Sequence, residues 1–495
     1  MTLRSSAGRV RITVPILYSL LLTGCMVGPK YKVPAVPTAP EFKEINPTSS
    51  TTDSSENTNW TIAKPGDAVP RGNWWTLFND AGLNKLEPQV AVANQTLKAA
   101  DANLQAARAN LRVQNANRYP TVGTNPFLGG QRLSANQPYS NSQSANNGQA
   151  ELLLPLQLNY EIDLWGAVRR NIAAAREESQ ATAADRQNIL LSLQAELAID
   201  YFELRAADAQ QKLLNDTVAQ YADAARITNN RLVGGVAVKS DVTQAQTQLQ
   251  DARVQALDVA IARAQYEHAI AILIGQPPAS FGLPPSPLPL SDNPPIVPSG
   301  LPSQLLERRP DIAAAERRTA AANERIGIAR AAYFPSLNLS AAAGLQSTAI
   351  TSLFDKSSFI YALGPTLGET FFDGGRRRGF SQQALANYDS TTANYRQAVL
   401  NAYQQVEDNL VALRVLSEEQ EQQRQATASA QESQGIFNNR YVGGVDTYLQ
   451  VITAQTTALN NERNDIDILR RRMGASVLLI KVLGGGWDRT QLPPQ

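Results

Sequence analysis

Two hydrophobic periods divide this chain. From Leu152 to Ile162 every second residue is apolar (Leu152, Leu154, Leu156, Leu158, Tyr160, Ile162), with Gln157, Asn159 and Glu161 between them. This predicts a strand with one oily and one wet face. Leu337, Leu339, Ala341, Ala343 and Leu345 alternate likewise, as do Phe359, Tyr361 and Leu363, and a weaker strand is expected over 121–133. Elsewhere the pattern is helical. Residues 171–230 contain no proline or glycine, and Leu190, Leu197 and Leu204 stand seven apart with Leu193, Tyr201, Ala207 and Leu214 between them, a heptad seam. Val399, Val406 and Leu413 repeat it inside a break-poor span over 376–440. Such spans are roughly 90 Å long at 1.5 Å per residue, so the helices build a coiled-coil structure long in one direction.

The chain is also written twice. Asn229-Asn230-Arg231-Leu232-Val233-Gly234-Gly235-Val236 returns about 209 residues later as Asn438-Asn439-Arg440-Tyr441-Val442-Gly443-Gly444-Val445, and Ala245-Gln246-Thr247 returns as Ala454-Gln455-Thr456. A period this large implies two copies of a whole structural unit. Each long helix ends at its Gly-Gly turn and a shorter helix returns, over 239–274 and 447–483, giving two helical hairpins. A helix over 304–332 is expected to complete the first return. A single helix over 81–117, stopped by Pro120, is expected to complete the second. Trp74, Trp75 and Phe78 open the ordered chain and are read as packing under a neighbouring element.

The pattern yields four strands, and the smallest membrane barrels need about eight. An open sheet edge in lipid leaves backbone groups unsatisfied. Several chains must therefore share one barrel if these strands lie in a membrane; the alternative is a soluble sheet within a helical protein.

The amino terminus carries Arg4, Arg9 and Arg11, an apolar run from Ile12 to Leu22, and Leu22-Thr23-Gly24-Cys25. The run is too short to span a bilayer, which takes about 20 residues. Small residues before the only cysteine resemble the lipobox of bacterial lipoproteins, making residues 1–24 a signal peptide and Cys25 the acylated first residue. Met26 follows instead of an inner-membrane retention aspartate, which favours the outer membrane. Cleavage moves the formal charge from +1 to about −2, leaving no basic face for nucleic acid. Residues 25–73 are rich in Pro, Thr, Ser and Asn and read as an extended leader.

Catalytic chemistry is not suggested. His268 is the only histidine, no phosphate-cradling glycine loop is present, and no nucleophile has a plausible base. Met26 and Met473 alone survive cleavage, too few for a soft-metal relay.

Further motifs carry a resemblance: Gly28-Pro29 with Pro34 after Cys25, Trp74-Trp75 with Phe78, Arg308-Arg309-Pro310-Asp311-Ile312, Ala331-Ala332-Tyr333-Phe334-Pro335-Ser336-Leu337, Phe372-Asp373-Gly374-Gly375, and Arg440-Tyr441 with Gly443. Over nearly its whole mature length the chain resembles the TolC-like and OprM-like outer membrane factors, the NodT-type efflux lipoproteins. The resemblance implies an α+β membrane protein with an internal two-fold repeat: a homotrimeric outer membrane β-barrel of four strands per chain, joined to a long periplasmic helical barrel of coiled-coil hairpins. Its domains are then a leader (25–73), a first repeat (74–275), a Pro-rich equatorial linker (276–303), a second repeat (304–487) and a tail (488–495). No cofactor is implied beyond S-diacylglycerol and N-palmitoyl groups on Cys25.

The function implied is passive. A periplasmic adaptor and an inner-membrane RND-type pump hand over small molecules, drugs or other toxic organics among them, and the channel conducts them outward from a Gram-negative cell. Two sites follow. Arg231, Val233, Gly234 and Gly235, with Arg440, Val442, Gly443 and Gly444, would form periplasmic tips that meet the adaptor, although glycine also serves simply as a hairpin turn. Asp241 and Asp446, just past the tips, would form a gate of like charges held by hydrogen bonds or by Arg231 and Arg440, although aspartate there is also a common helix cap. The chain departs from the family at Gln450, where an aspartate is often found. The alternatives are a non-channel coiled-coil scaffold lipoprotein and the outlet of a type I protein-secretion system.

Overall fold

The computed structural model describes residues 26–37, 39, 41–44, 72–132, 134, 148–297, 305–487 and 489–492. The signal peptide and Cys25 lie outside the described residues. The helices are α1 (Ala81–Ala93), α2 (Gln95–Ala116), α3 (Ala167–Val233), α4 (Lys239–Leu273), α5 (Pro310–Ala331), α6 (Arg376–Val442) and α7 (Tyr448–Val482). The strands are β1 (Thr121–Thr124), β2 (Phe127–Gln131), β3 (Gln149–Ile162), β4 (Ser336–Ser347) and β5 (Phe359–Gly368).

The repeat is kept in three dimensions. α3 and α6 each have 67 residues, about 100 Å at 1.5 Å per residue, and α4 and α7 each have 35. Leu197, Leu204 and Leu214 of the first seam are fully buried, as are Val399 and Val406 of the second. Near the Gly-Gly turns the helices lie side by side in the order α4, α3, α7, α6; nearer the sheet the order is α2, α3, α5, α6. α2 therefore sits above α4, and α5 above α7.

This reverses the expected completion of the two return helices. The Asn94 amide donates to the Leu273 carbonyl at 2.9 Å, so α2 extends α4 of its own copy. Arg309 Nη1 donates to the Val482 carbonyl at 2.9 Å, so α5 extends α7. Both contacts fill the same need, because a helix's last carbonyls have no internal partner. Asn94 also corrects the single helix expected over 81–117. Its backbone is extended (φ −62°, ψ 129°) and its side chain accepts the Leu97 amide at 3.0 Å, capping α2 at its start. Closely approaching backbone at both junctions requires glycine. A Cβ on Gly275 would lie 2.5 Å from the Ala93 carbonyl oxygen, and one on Gly484 2.0 Å from that of Arg308.

The main core lies at this equatorial level, where Trp74, Leu83, Leu97, Leu197, Ile270, Ile312, Val399 and Ile480 pack together. Trp74 meets Trp75 edge to face at 6.0 Å, and Phe78 contacts Phe202 at 5.0 Å. The linker is held here too: the Leu283 and Ser286 amides donate to Glu267 and Asp208, and Arg263 binds Asp208 at 2.6 Å.

The sheet is antiparallel, with order β1-β3-β4-β5. β2 also pairs with β3, so β1 and β2 occupy one of four strand positions. The break at Asn125-Pro126 faces Pro155, and two prolines remove the ladder donors there. Register puts the whole oily alternation on one face. Leu154, Leu156, Leu158 and Tyr160 oppose Leu345, Ala343, Ala341 and Leu339, and the last three oppose Tyr361, Leu363 and Pro365. Gln157, Asn159 and Glu161 share the other face with Ala342, Ser340 and Asn338. Leu156, Tyr361, Leu363 and Leu367 are exposed, and the outer edges of β1/β2 and β5 pair with no strand of this chain among the described residues.

The described part of the leader, residues 26–37, 39 and 41–44, is extended and docked. The Val27 amide bonds the Trp165 carbonyl at 3.1 Å, beside the sheet. The Pro29 carbonyl accepts from the buried Arg170 and from Asn323, and Tyr31 Oη donates to Glu316 at 2.6 Å. Farther down, Phe42 is buried, Glu407 accepts the Lys43 and Glu44 amides, and Glu44 pairs with Arg414 at 2.7 Å. Such residues supply no core of their own, but Pro29, Tyr31, Lys43 and Glu44 find partners on α3, α5 or α6. No helix among the described residues is long and apolar enough to cross a membrane.

Candidate functional site at the hairpin tips

Both long helices end in the same backbone motif. In the first tip the Val236 amide donates to the Arg231 carbonyl at 2.8 Å and that of Gly235 to Leu232 at 2.9 Å; in the second, Val445 donates to Arg440 at 2.9 Å and Gly444 to Tyr441 at 3.0 Å. This is the Schellman arrangement, which places one residue in the left-handed region. Gly235 (φ 75°) and Gly444 (φ 76°) fill that position. Gly234 and Gly443 do not need to be glycine for the turn. Their φ values are −76° and −75°, and a Cβ on either would meet only its own helix's carbonyls at 3.5 Å or more. Val233, Val236, Val442 and Val445 stand exposed around them.

The two tips differ in charge. Arg440 closes on Asp446 through two bonds of 2.5 and 3.2 Å, and this pairing holds the guanidinium above its ordinary range. The position matching Asp446 in the first copy is Ala237, so Arg231 has no acid in its own turn. It crosses to the second hairpin instead. Its Nη1 donates to the carbonyls of Tyr441 at 3.1 Å and Val442 at 3.4 Å, and its guanidinium lies 4.6 Å from the centre of the Tyr441 ring. Those carbonyls lie at the C-terminal end of α6, where the helix dipole favours a cation, and that of Tyr441 also accepts the Gly444 amide. Tyr441 packs at 5.2 Å on Tyr448, whose hydroxyl is pushed up to about 12 by burial, and both lie in a small core with Ala245 and Val451.

Asp241 and Asp446 are therefore not brought together as equivalents. Asp446 is held by Arg440, whereas Asp241 lies in the first turn of α4 and forms no ion pair among the described residues. Arg231 binds neither. Sequence reasoning placed Arg231 and Arg440 in one role; the signal that separates them is Ala237 against Asp446 at the same point of the repeat. The contribution of Tyr441 and Tyr448 was missed, although Leu232 in the first copy against Tyr441 in the second marks the place.

Residues 87–276 and 301–485 match the outer membrane efflux protein family. The chain belongs to that family. It is similar to the toluene efflux pump outer membrane protein TtgF of Pseudomonas putida (31% identical, covering 97% of this chain and 98% of that one) and to the outer membrane protein OprJ of Pseudomonas aeruginosa (31%, 96% and 95%). Its fold matches the solved outer-membrane channel OprN, with a TM-score of 0.83 at 27% identity over 94% of this chain and all of that one. The chain is thus an outer membrane channel of efflux pumps in Gram-negative bacteria, with a TolC-like fold of long helical hairpins and four antiparallel strand positions; it is not an enzyme. Membership sets aside the non-channel scaffold, which has no use for the sheet.

Proposed function

We propose that three copies assemble into one duct and conduct small organic molecules, drugs or toxic solvents among them, passively from an inner-membrane RND-type pump and a periplasmic adaptor to the exterior. The observation that carries this reading is the sheet: one face is apolar, with Leu154, Leu156, Tyr361, Leu363 and Leu367 exposed on it, and neither edge is paired among the described residues. Three sets of four strand positions close these edges as a twelve-stranded barrel with the oily face toward lipid. The helical layer has the same need, since α4 and α6 are its free margins and Val254, Leu257 and Ile261 stand exposed at heptad spacing on α4.

Cys25 is proposed as the acylated residue, carrying S-diacylglycerol and N-palmitoyl groups. The next residue supports this: Met26 packs on Gly166 where helix meets sheet, the level at which a lipid anchor would be useful. The division into leader 25–73, repeats 74–275 and 304–487, linker 276–303 and tail 488–495 goes with this reading. At the tips, Gly234 and Gly443 are the proposed adaptor contacts, because the chain's own turn does not require glycine there. Arg231 on Tyr441 and Arg440 on Asp446 are proposed to hold the tips closed, with Asp241 contributing charge. The toluene efflux pump relative supports apolar organics as cargo.

Electron microscopy of the detergent-extracted, lipidated protein tests the assembly. The expected result is a hollow three-fold cylinder longer than about 100 Å, the length of one long helix. A solid or unsymmetrical particle would overturn the duct.

A further inference from the structure

All four crossings between helix and sheet lie at one end of the sheet: Ala116 to Thr121, Ile162 to Ala167, Ala331 to Ser336 and Gly368 to Arg376. The acids in these crossings are Asp163, Glu369 and Asp373, and each already holds an arginine. Arg169 binds Asp163 at 3.0 Å; Arg377 binds Asp373 at 2.7 Å and Glu369 at 3.4 Å, with its guanidinium 5.5 Å over the Tyr333 ring. Arg118, Arg330, Arg376 and Arg378 are left over. All four are exposed and form no ion pair among the described residues. Arg330, in the last turn of α5, and Arg118, two residues past α2, sit where a helix dipole favours a cation, but the fold offers Arg376 and Arg378 no such reason. Arg376 and Arg378 sit in the first turn of α6, where the helix dipole disfavours cations, and the matching residues of the first copy are Ala167 and the already paired Arg169. At the opposite end of the sheet the described charges are Arg132, Glu151, Asp355 and Lys356, with no such excess. Around the unpaired arginines stand Tyr119, Phe371, Phe372 and Phe380, all exposed.

Unpaired guanidinium groups next to exposed aromatic rings, at the rim of an apolar band, match the chemistry of a membrane interface. We propose that this band binds the phosphate groups of anionic phospholipids, of the phosphatidylglycerol class, in the periplasmic leaflet of the outer membrane. The proposal rests on the reading that the sheet is the membrane-embedded part. The arginines supply forked donors for phosphate oxygens, and the rings seat at headgroup level. The band thereby fixes how deeply the sheet sits and stabilises the junction at which the long helices leave the membrane. The start of the described leader lies at the same level, with Val27 bonded to Trp165 at 3.1 Å.

The test uses the full-length protein in nanodiscs of phosphatidylethanolamine with or without phosphatidylglycerol, and native mass spectrometry to count retained lipid. The wild type is compared with a variant carrying Arg118→Gln, Arg330→Gln, Arg376→Gln and Arg378→Gln and with the same four positions changed to Lys. Phosphatidylglycerol should be enriched on the wild type and on the lysine variant, and the glutamine variant should lose that enrichment by on the order of tenfold. Equal enrichment on wild type and glutamine variant would overturn the proposal, as would a lysine variant that fails as completely as the glutamine one. A bimane on Leu363→Cys, quenched by nitroxide lipid, reports separately whether the sheet lies in lipid. Quenching with no lipid preference sinks the headgroup band alone; absence of quenching sinks the membrane reading beneath it.

Discussion

Removing the Arg231 side chain should open the tips more than breaking the ion pair at Arg440. Arg231→Ala deletes two hydrogen bonds to the end of α6, at 3.1 and 3.4 Å, and a cation–π contact at 4.6 Å. The side chain is only partly exposed, so the bonds together contribute about 1 kcal/mol and the ring contact about another 1 kcal/mol. A loss of about 2 kcal/mol per chain corresponds to a roughly 30-fold shift in the balance between closed and parted hairpins. The Arg440–Asp446 pair is solvent-facing and links two parts of the same tip, so its loss should have a smaller, salt-sensitive effect. Single-channel conductance in planar bilayers checks this. Arg231→Ala should raise the open probability strongly, Arg231→Lys partly, and Asp446→Ala least. If Asp446→Ala opened the channel and Arg231→Ala did not, the crossing arginine would not be the latch, and the gate would lie in the aspartates.

The glycines of one turn should separate by role. Gly444→Ala forces a Cβ into φ 76° and should cost the turn about 1 kcal/mol, whereas Gly443→Ala at φ −75° should leave heat-stable oligomers unchanged on gels. A bulky residue at Gly443 should then abolish efflux, read as drug sensitivity, with assembly intact. Glu87 is fully buried without a hydrogen-bond partner, and burial raises its carboxyl from 4.5 to about 9. The folded chain keeps a proton that the unfolded chain releases, so stability is full below about 4.5 and is lost as pH rises toward about 9. Glu87→Gln should flatten that profile and raise the melting temperature at pH 8 but not at pH 4.5. In the leader, a side chain on Gly28 (φ 114°) would press to 2.6 Å from the Gly327 Cα. Gly28→Val should lift the docked leader and expose residues 30–37 to protease; unchanged protection would mean that the leader is held by its lower contacts alone.

Much of the architecture was legible because it is periodic. Leu197, Leu204, Val399 and Val406 recur every seven residues and bury one helix seam each, while Leu154, Leu156 and Leu158 recur every two and mark one sheet face. The tip turns were legible because only glycine fits φ 75° and 76° cheaply. The break at Asn94 was hidden, since asparagine within a helix-forming run becomes a boundary only when its amide meets the end of α4. The docking of the leader was hidden for the same reason: Pro29 and Tyr31 have no periodic partner, and Arg170 and Glu316 that receive them are far away in the chain.

By itself, the sequence determined the elements, the repeat and the polarity of each face, because these depend on local steric and solvation preferences summed over many residues. The tertiary structure alone decided which short helix completes which hairpin, which tip arginine reaches across and which acids remain unpaired. Each of those outcomes depends on a single contact between residues remote in sequence, and one hydrogen bond from Arg231 to the end of a helix more than 200 residues away leaves no periodic trace.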